Sequence, residues 1–234
     1  MKIVKTPAKI KKIKELSQDV KHFVIEPEEN IEFKAGQFVN LKIEDKESNE
    51  SIKRAYSIAS PPNKEGFIEL CVKLVENGKL TPKLWEKKVG DIVELHGPFG
   101  MHTAEKIEKN KILFIATGTG IAPHRSMILD QLEKETQKQI TLLLGVRYEE
   151  NILYGGEFRF LQRSYPNFNF VPIISRPSQE WEGRRGYVQN NLENLDPFET
   201  QVFICGLSEM VEEVKKKLID YGFDQNDIIM EKYD

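Results

Sequence analysis

The chain of 234 residues contains only two cysteines, Cys71 and Cys205, and four histidines, His22, His96, His102 and His124. Two cysteines so far apart, each inside an apolar run, exclude a disulfide framework. They are also too few for an iron-sulfur cluster or a zinc site built mainly from cysteine. The histidines show neither HxxxH nor HxH spacing, so no metal centre is expected and surface or barrel-edge positions are expected for all four. No apolar run approaches the ~20 residues needed to cross a bilayer, so membrane insertion is not expected. The opening stretch MKIVKTPAKIKKIKEL is too charged for a secretory signal, and a soluble cytoplasmic protein is the default expectation. An excess of charge is missing too: 34 Lys and Arg stand against 37 Asp and Glu, which makes nucleic acid an improbable partner.

What is present divides into two halves. From Pro7 to about Glu94 the apolar residues alternate in short runs, HFVIE, QFVNLKI, FIELCVKLV and DIVEL, separated by turn-forming stretches such as EPEEN, KAG, SPPNKEG and ENGK. This spacing predicts an antiparallel β-barrel or sandwich. Within it, LTPKLWEKK predicts one short helix with Thr81 as N-cap and Pro82 at the first helical position. After GPFGMHTAEKIEKN the pattern changes. KILFIA, ITLLLGV, FNFVPII, QVFIC and DIIME read as strands buried on both faces, separated by amphipathic segments, and predict a parallel α/β domain beginning near Asn110. One helix should bury Ile128, Leu129 and Leu132 and expose Asp130, Gln131, Glu133 and Lys134. The last should bury Val211, Val214, Leu218 and Tyr221, with Ser208 as its cap and Gly222 at its end. The predicted fold is thus two-domain β plus α/β, with boundaries at 1–105 and 106–234.

The stretch ATGTGIAP, Ala116–Pro123, lies where a parallel strand should turn into a helix. A dinucleotide fingerprint would place a third glycine at position 123, which is proline. The chemistry still suits a pyrophosphate. Gly118 and Gly120 remove side chains where an anion would approach, Thr117 and Thr119 offer hydroxyls, and Pro123 is tolerated in a first helical turn. From these residues alone, a nucleotide cradle and a merely tight turn both remain open. The same holds for RAYS, Arg54–Ser57. Alternation puts Arg54 and Tyr56 on one side of a strand, a cation suited to phosphate beside a phenol, but an ordinary exposed strand has the same pattern.

The order of the signals is more specific than any one of them. RAYS, then GKLT, GPFG, GTGIAP, CGLSEM and a closing EKY resemble the succession of motifs in the ferredoxin-NADP reductase family, over nearly the whole chain. The resemblance implies an antiparallel Greek-key FAD barrel, then an α/β domain for the nicotinamide dinucleotide, with the flavin between them. It implies that Arg54 contacts the flavin phosphates, Tyr56 the ribityl or ring region, and that Ser57 sits near flavin N5. Gly78 and Thr81 would support the pyrophosphate, and Val72, Lys73 and Leu74 match a strand whose backbone lines the flavin. Thr117, Gly118, Thr119 and Gly120 would hold the nicotinamide dinucleotide's pyrophosphate. Cys205 and Gly206 would lie beside the nicotinamide, with Cys205 near the line of hydride transfer; a buried strand-end thiol is the alternative. Ser57, Cys205 and Glu231 are the implied catalytic set. Tyr233 is implied to stack on the flavin, although Asp234 follows it where family members often end.

Arg147 and Arg176, which follow the second and third apolar strands, and Arg184 or Arg185 in EGRRGYV are candidates for an adenosine 2′-phosphate, which favours NADP over NAD; solvated loop arginines are the alternative. FAD is expected rather than FMN because the family's barrel usually takes it. The leading reading is electron transfer between NADP(H) and a carrier such as ferredoxin or flavodoxin. An NADH-dependent reductase component of a multi-component oxygenase, or a non-catalytic flavin- or nucleotide-binding subunit, are its rivals. Lys2, Lys5, Lys9, Lys11 and Lys12 could meet an acidic carrier or simply protect a sheet edge. The oligomeric state is not readable from the residues.

Overall fold

A computed structural model describes residues 2–44, 51–62, 65–193 and 195–233. Asp234, and with it the expectation that it perturbs Tyr233, lies outside the described residues, as does part of the SPPNKEG turn. By their internal contacts the residues fall into two compact units, 1–105 with 125–130, and 106–124 with 131–234.

The first unit is built on β1 (Val4–Ser17), β2 (Val20–Pro27), β3 (Phe38–Glu44), β4 (Ser51–Ser57), β5 (Ile68–Lys73) and β6 (Ile92–Phe99), with one short helix, α1 (Thr81–Trp85). The strands form one antiparallel sheet in the order β4-β3-β6-β1-β2-β5. Its two edges meet through an antiparallel bridge between Ile58 and Leu70, so the sheet closes into a barrel with Greek-key crossovers. Period-2 alternation drives this. In β1 Val4, Thr6, Ala8 and Ile10 point inward while Lys5, Pro7 and Lys9 point to solvent. A register shift between Ile10 and Lys12 then leaves Lys11 and Lys12 exposed in succession, as a bulge does. Phe23, Ile25, Leu41, Ile68 and Leu70 fill the interior, each at 1% exposure or less. Side chains buried to this degree contribute about 1.5–3 kcal/mol apiece.

Two expectations in this unit are corrected. Thr81 does not cap α1: Leu80 is the cap residue, Thr81 is the first helical residue, and no side-chain cap bond forms. The Thr81 hydroxyl is drawn instead to Val75, where the chain has left β5 and the backbone has no ladder partner. His22 is buried rather than exposed, on a strand β2 paired on both sides by β1 and β5, and its Nε2 lies 3.9 Å from Glu69 Oε2.

The second unit carries β7 (Lys111–Thr117), α2 (Ile121–Glu133), β8 (Gln139–Val146), α3 (Gly155–Ser164), β9 (Phe168–Ile174), β10 (Arg184–Arg185), β11 (Thr200–Leu207), α4 (Ser208–Asp220) and β12 (Ile228–Tyr233). All strand pairs are parallel, in the order β10-β9-β8-β7-β11-β12. The apolar runs are continuous because both faces are covered: every residue from Thr200 to Gly206 in β11 is buried. Chain order reverses between β7 and β11, which creates a crevice at the carboxyl ends of those strands, the usual ligand position in such sheets.

The helices depart from their sequence patterns at defined points. Val211, Val214 and Leu218 are fully buried as expected, but Tyr221 is 52% exposed. It is the C-cap residue, after which Gly222, at φ +90°, turns the chain. Gly222 N–H bonds to Ile219 C=O and Phe223 N–H to Leu218 C=O, a Schellman ending, so Phe223 takes the buried place expected for Tyr221. Leu207, not Ser208, is the N-cap residue of α4, with no side-chain cap bond. In α2, Asp130 is buried where a solvent face was expected, and His124 is only 2% exposed. This helix is buried almost all round, a state its mixed composition does not announce: Arg125–Asp130 pack with the barrel while its first turn belongs to the α/β unit.

Candidate functional site: a barrel strand and a sheet switch point

In the barrel, Arg54, Tyr56 and Ser57 lie along the last half of β4, paired with Leu41, Val39 and Phe38 of β3. Arg54 is exposed and its Nη1 donates to Lys53 C=O at 2.8 Å. Tyr56 packs against the barrel core, and burial pushes its phenol up to about 12 against the opposing pull of Arg54. It therefore stays a neutral donor across the physiological range. Ser57 is buried at the end of the strand. Val72 is fully buried in β5, Lys73 is exposed with Nζ 3.4 Å from Asp19 Oδ2, and Leu74 just beyond the strand donates its N–H to Asp19 C=O at 2.7 Å.

Gly78 and Thr81 shape the loop that follows. Val75 N–H donates to Thr81 Oγ1 at 2.9 Å, and the same hydroxyl donates to Val75 C=O at 3.1 Å. A Cβ at Gly78 would lie 2.9 Å from Val75 O and 3.2 Å from Thr81 Oγ1, so only glycine allows the loop to close this tightly. Thr81 thus holds its loop, and the barrel's candidate residues are largely engaged with their own backbone.

The α/β unit differs. Thr117 ends β7, and Gly118–Gly120 make a single 3-10 turn that runs into α2 with Pro123 in its first turn. Gly118 has φ +53°, and a Cβ built there would meet nothing within 4 Å, so open space faces its backbone. Gly120 is the opposite case: a Cβ there would run into the Cys205 carbonyl. One on Gly206 would strike Thr117 Oγ1 and Met210. The two loops adjoin because β7 and β11 are neighbours, with Ala116 opposite Cys205. Thr117 Oγ1 is buried with no hydrogen-bond partner. An unpaired buried hydroxyl beside an open, backbone-lined space at the start of a helix suits an anionic group. Thr119 is half-buried in the same turn.

At the far side of β11, Cys205 stands opposite Glu231 and Leu207 opposite Tyr233. The Cys205 thiol is hydrogen-bonded to the Tyr233 side chain; burial, and then the Glu231 carboxylate, hold it well above the usual thiol range. Burial also raises Glu231. The structure therefore brings Thr117, Gly118, Gly120, Cys205, Gly206, Glu231 and Tyr233 to one end of one sheet, and the thiol is a neutral group rather than a nucleophile.

The four arginines do not behave alike. Arg147 and Arg176 follow β8 and β9 and are exposed; Arg176 N–H bonds to Arg147 C=O at 2.9 Å, and Arg176 Nη1 donates to Tyr148 Oη at 3.4 Å. Arg184 and Arg185 form β10 and are spent on their own loop. Arg185 Nη2 donates to the carbonyls of Ser178, Gln179 and Trp181, and Arg184 Nη1 to that of Asn191. Sequence reasoning passed over Tyr148, an exposed aromatic beside the Arg176 guanidinium, and Arg125, a buried cation in α2. The aromatic directly after Arg147 was a readable signal for the first; nothing in the periodicity marks the second.

Two family models match the chain, an oxidoreductase FAD-binding domain over residues 7–103 and an oxidoreductase NAD-binding domain over residues 114–216. The chain thus carries an FAD-binding domain followed by an NAD-binding domain. It is similar to the reductase component of phenol 2-monooxygenase from Pseudomonas sp. (strain CF600), 33% identical over 94% of this chain, and spans only 63% of that relative's length. Among solved structures, a ferredoxin NADP+ reductase from Neisseria gonorrhoeae with bound FAD and NADP superposes with a TM-score of 0.86 at 27% identity, covering 97% of this chain and 98% of the other. Ferredoxin--NADP reductase B of Sorangium cellulosum (strain So ce56) is 35% identical over 86% of each chain. With the antiparallel barrel, the parallel sheet and both domain families in sequence, the chain belongs to the ferredoxin-NADP reductase family of FAD-dependent NAD(P)H oxidoreductases.

Proposed function

We propose that the protein is an FAD-dependent reductase that moves electrons between NADP(H) and a one-electron carrier, ferredoxin or flavodoxin, with residues 1–105 as the FAD domain and 106–234 as the nicotinamide-dinucleotide domain. A cytoplasmic setting belongs to the same reading. The observation that carries it is the loop pair at the sheet switch point, where an unpaired Thr117 hydroxyl and an open Gly118 adjoin Cys205 and Gly206. When bound, FAD accepts a hydride pair of electrons and releases them singly, which is the chemistry such a reductase needs.

The chain's residues would divide the work as follows. Arg54 lies exposed with donors for flavin phosphate, and Tyr56 offers a neutral hydroxyl and a ring edge on the same strand. Ser57 would donate a hydrogen bond at the reacting end of the flavin. Gly78 and Thr81 hold the loop after β5, so that its backbone, with Val72, Lys73 and Leu74, would line the isoalloxazine or pyrophosphate. Thr117, Gly118, Thr119 and Gly120 would take the dinucleotide's pyrophosphate, with Gly206 leaving the space. Cys205, held neutral, and Glu231 would border the nicotinamide, and Tyr233 would cover the flavin until displaced.

For the nucleotide, Arg147 and Arg176 are the candidates for a 2′-phosphate, with Tyr148 beside them for the adenine; Arg184 and Arg185 would act indirectly, by shaping the 178–191 loop. A second reading, an NADH-dependent reductase component of an oxygenase system, is favoured by Glu149 and Glu150, which follow Tyr148 just beyond Arg147, since acidic groups at the end of a second parallel strand suit an unphosphorylated ribose. Glu149 is partly committed, accepting from Ser178 N–H at 3.0 Å. The lysines offered for an acidic carrier are also partly paired: Lys2 with Glu29, Lys5 with Glu94 and Lys11 with Glu26.

The test is spectroscopic. Purified protein should be yellow, release FAD on denaturation, and bleach faster with NADPH than with NADH in the same sample. A colourless protein that takes up no FAD would sink the whole reading, and preference for NADH would replace the main reading by the second. Arg147→Ala together with Arg176→Ala should cost about 10-fold or more in kcat/KM for NADPH while changing that for NADH little.

A further inference from the structure

The barrel is closed at one place only among the described residues, by the Ile58–Leu70 bridge and the bond from Ala59 N–H to Glu69 C=O at 2.8 Å. That closure follows directly on Ser57. The chain from Ser57 to Ser60 is not a ladder strand beyond this point, so its next carbonyls need other partners. They are met by two side chains of α2. Arg125 Nη1 donates to Ala59 C=O at 2.7 Å, and Ser126 Oγ donates to Ser60 C=O at 2.6 Å. Arg125 Nη1 also lies 2.6 Å from Glu69 Oε2 on β5, the opposite edge of the closure, and Glu69 N–H donates to Ser60 Oγ at 3.2 Å. Arg125 is 8% exposed, Ser126 fully buried and Ser60 2% exposed.

Burying a guanidinium is costly and is offset only by a charged partner and a full set of acceptors. Here the ion pair spans both edges of the barrel seam, and one nitrogen serves a carboxylate and a carbonyl together. A lysine ammonium is a point charge on a different stem and does not reproduce that geometry. We propose that Arg125, Glu69 and Ser126 form a positioning staple that fixes the Ser57–Ser60 segment, and through it the Ser57 hydroxyl, for the reaction assigned to Ser57. None of the three is a catalytic residue. The inference rests on the reading of Ser57 given under Proposed function.

The experiment is a double-mutant cycle on the FAD-loaded protein. Arg125→Lys, Ser57→Ala and the double variant are compared for the visible absorption band of bound FAD, the NADPH dissociation constant and the rate of flavin bleaching at saturating NADPH. Arg125→Lys should slow bleaching by about 10- to 100-fold while the dissociation constant changes by no more than about twofold, the pattern of a misplaced reacting group rather than lost binding. It should also move the flavin band in the same sense as Ser57→Ala. In the Ser57→Ala background Arg125→Lys should add little, because the group it positions is gone. Ser126→Ala, which removes a single hydrogen bond, should give a smaller effect of the same kind and serves if Arg125→Lys does not fold. Wild-type bleaching in Arg125→Lys, or full additivity with Ser57→Ala, overturns the staple. An unchanged rate in Ser57→Ala overturns the reading of Ser57 itself, and the proposal with it.

Discussion

The barrel loop around Thr81 and the switch-point loop around Thr117 hold the same residue type in opposite states. Thr81 Oγ1 makes two hydrogen bonds to one residue of its own loop, and the neighbouring Gly78 has no room for a side chain. Thr117 Oγ1 is buried and unpaired, and the neighbouring Gly118 faces open space. One threonine builds a wall, and the other leaves a bonding position to be filled. Polar groups at a binding site therefore act in two ways, and burial with hydrogen-bond accounting separates them where residue type does not.

His124 in α2 is another buried polar group whose Nδ1 has no partner. Burial lowers its pKa from 6.5 to about 3. A depressed folded-state value means its stabilisation is complete above the unfolded pKa and is lost as pH falls from about 6.5 towards 3, because the unfolded chain takes up the proton first. Urea unfolding should show a loss on the order of 3 kcal/mol from this group between pH 7 and pH 4, and His124→Leu should flatten that arm. Equal acid sensitivity in both proteins would mean that His124 has a partner after all. Glu231, raised by burial, acts in the opposite sense, withdrawing stability as pH rises through its shifted value.

Smaller effects separate the two glycines of the switch-point loop. Gly120→Ala must push its methyl against the Cys205 carbonyl and should cost about 1–3 kcal/mol by thermal or urea unfolding, with dinucleotide binding weakened in consequence. Gly118→Ala meets no neighbour and should cost only the left-handed backbone, about 1 kcal/mol, yet weaken NADPH binding by placing a methyl in the open space. If Gly118→Ala binds NADPH normally by titration, that space is not the phosphate position. On the barrel side, Thr81→Val should cost about 1–2 kcal/mol by stranding the Val75 backbone groups. Thr81→Ser should recover most of it, and equal losses in the two variants would show that the hydroxyl bonds do not stabilise the loop.

Much of the architecture was legible beforehand because it depends on near neighbours in the chain. Alternation in β1 and β3, the unbroken apolar runs of β7, β8 and β11, and the glycine that ends α4 are consequences of strand period, two-sided burial and backbone sterics. The candidate site was readable to the same depth: a glycine turn between strand and helix, and an Arg-x-Tyr-Ser strand. The errors fell where the outcome depends on how the chain folds back on itself rather than on spacing. Thr81 and Ser208 looked like caps, but the backbone groups that compete for a hydroxyl are not visible in a local pattern. Tyr221 kept the helical spacing while the chain turned away beneath it. Asp130 and His124 carry polar side chains on a helix that is buried almost all round, and helical periodicity has no sign for that.

Local chain chemistry thus suffices to say that a barrel precedes an α/β sheet, and that a two-glycine loop joins strand to helix where an anion could sit. It cannot say that Gly120 touches the Cys205 carbonyl, that Thr117 is unpaired, that Arg185 is spent on its own loop while Arg147 is exposed, or that Arg125 and Glu69 clasp the barrel seam. The Arg125 contacts join residues 66 and 56 positions apart and Gly120 meets a strand much later in the chain, while the Arg185 partners are near in sequence but are fixed by how their loop folds; only packing of the folded chain brings these groups together.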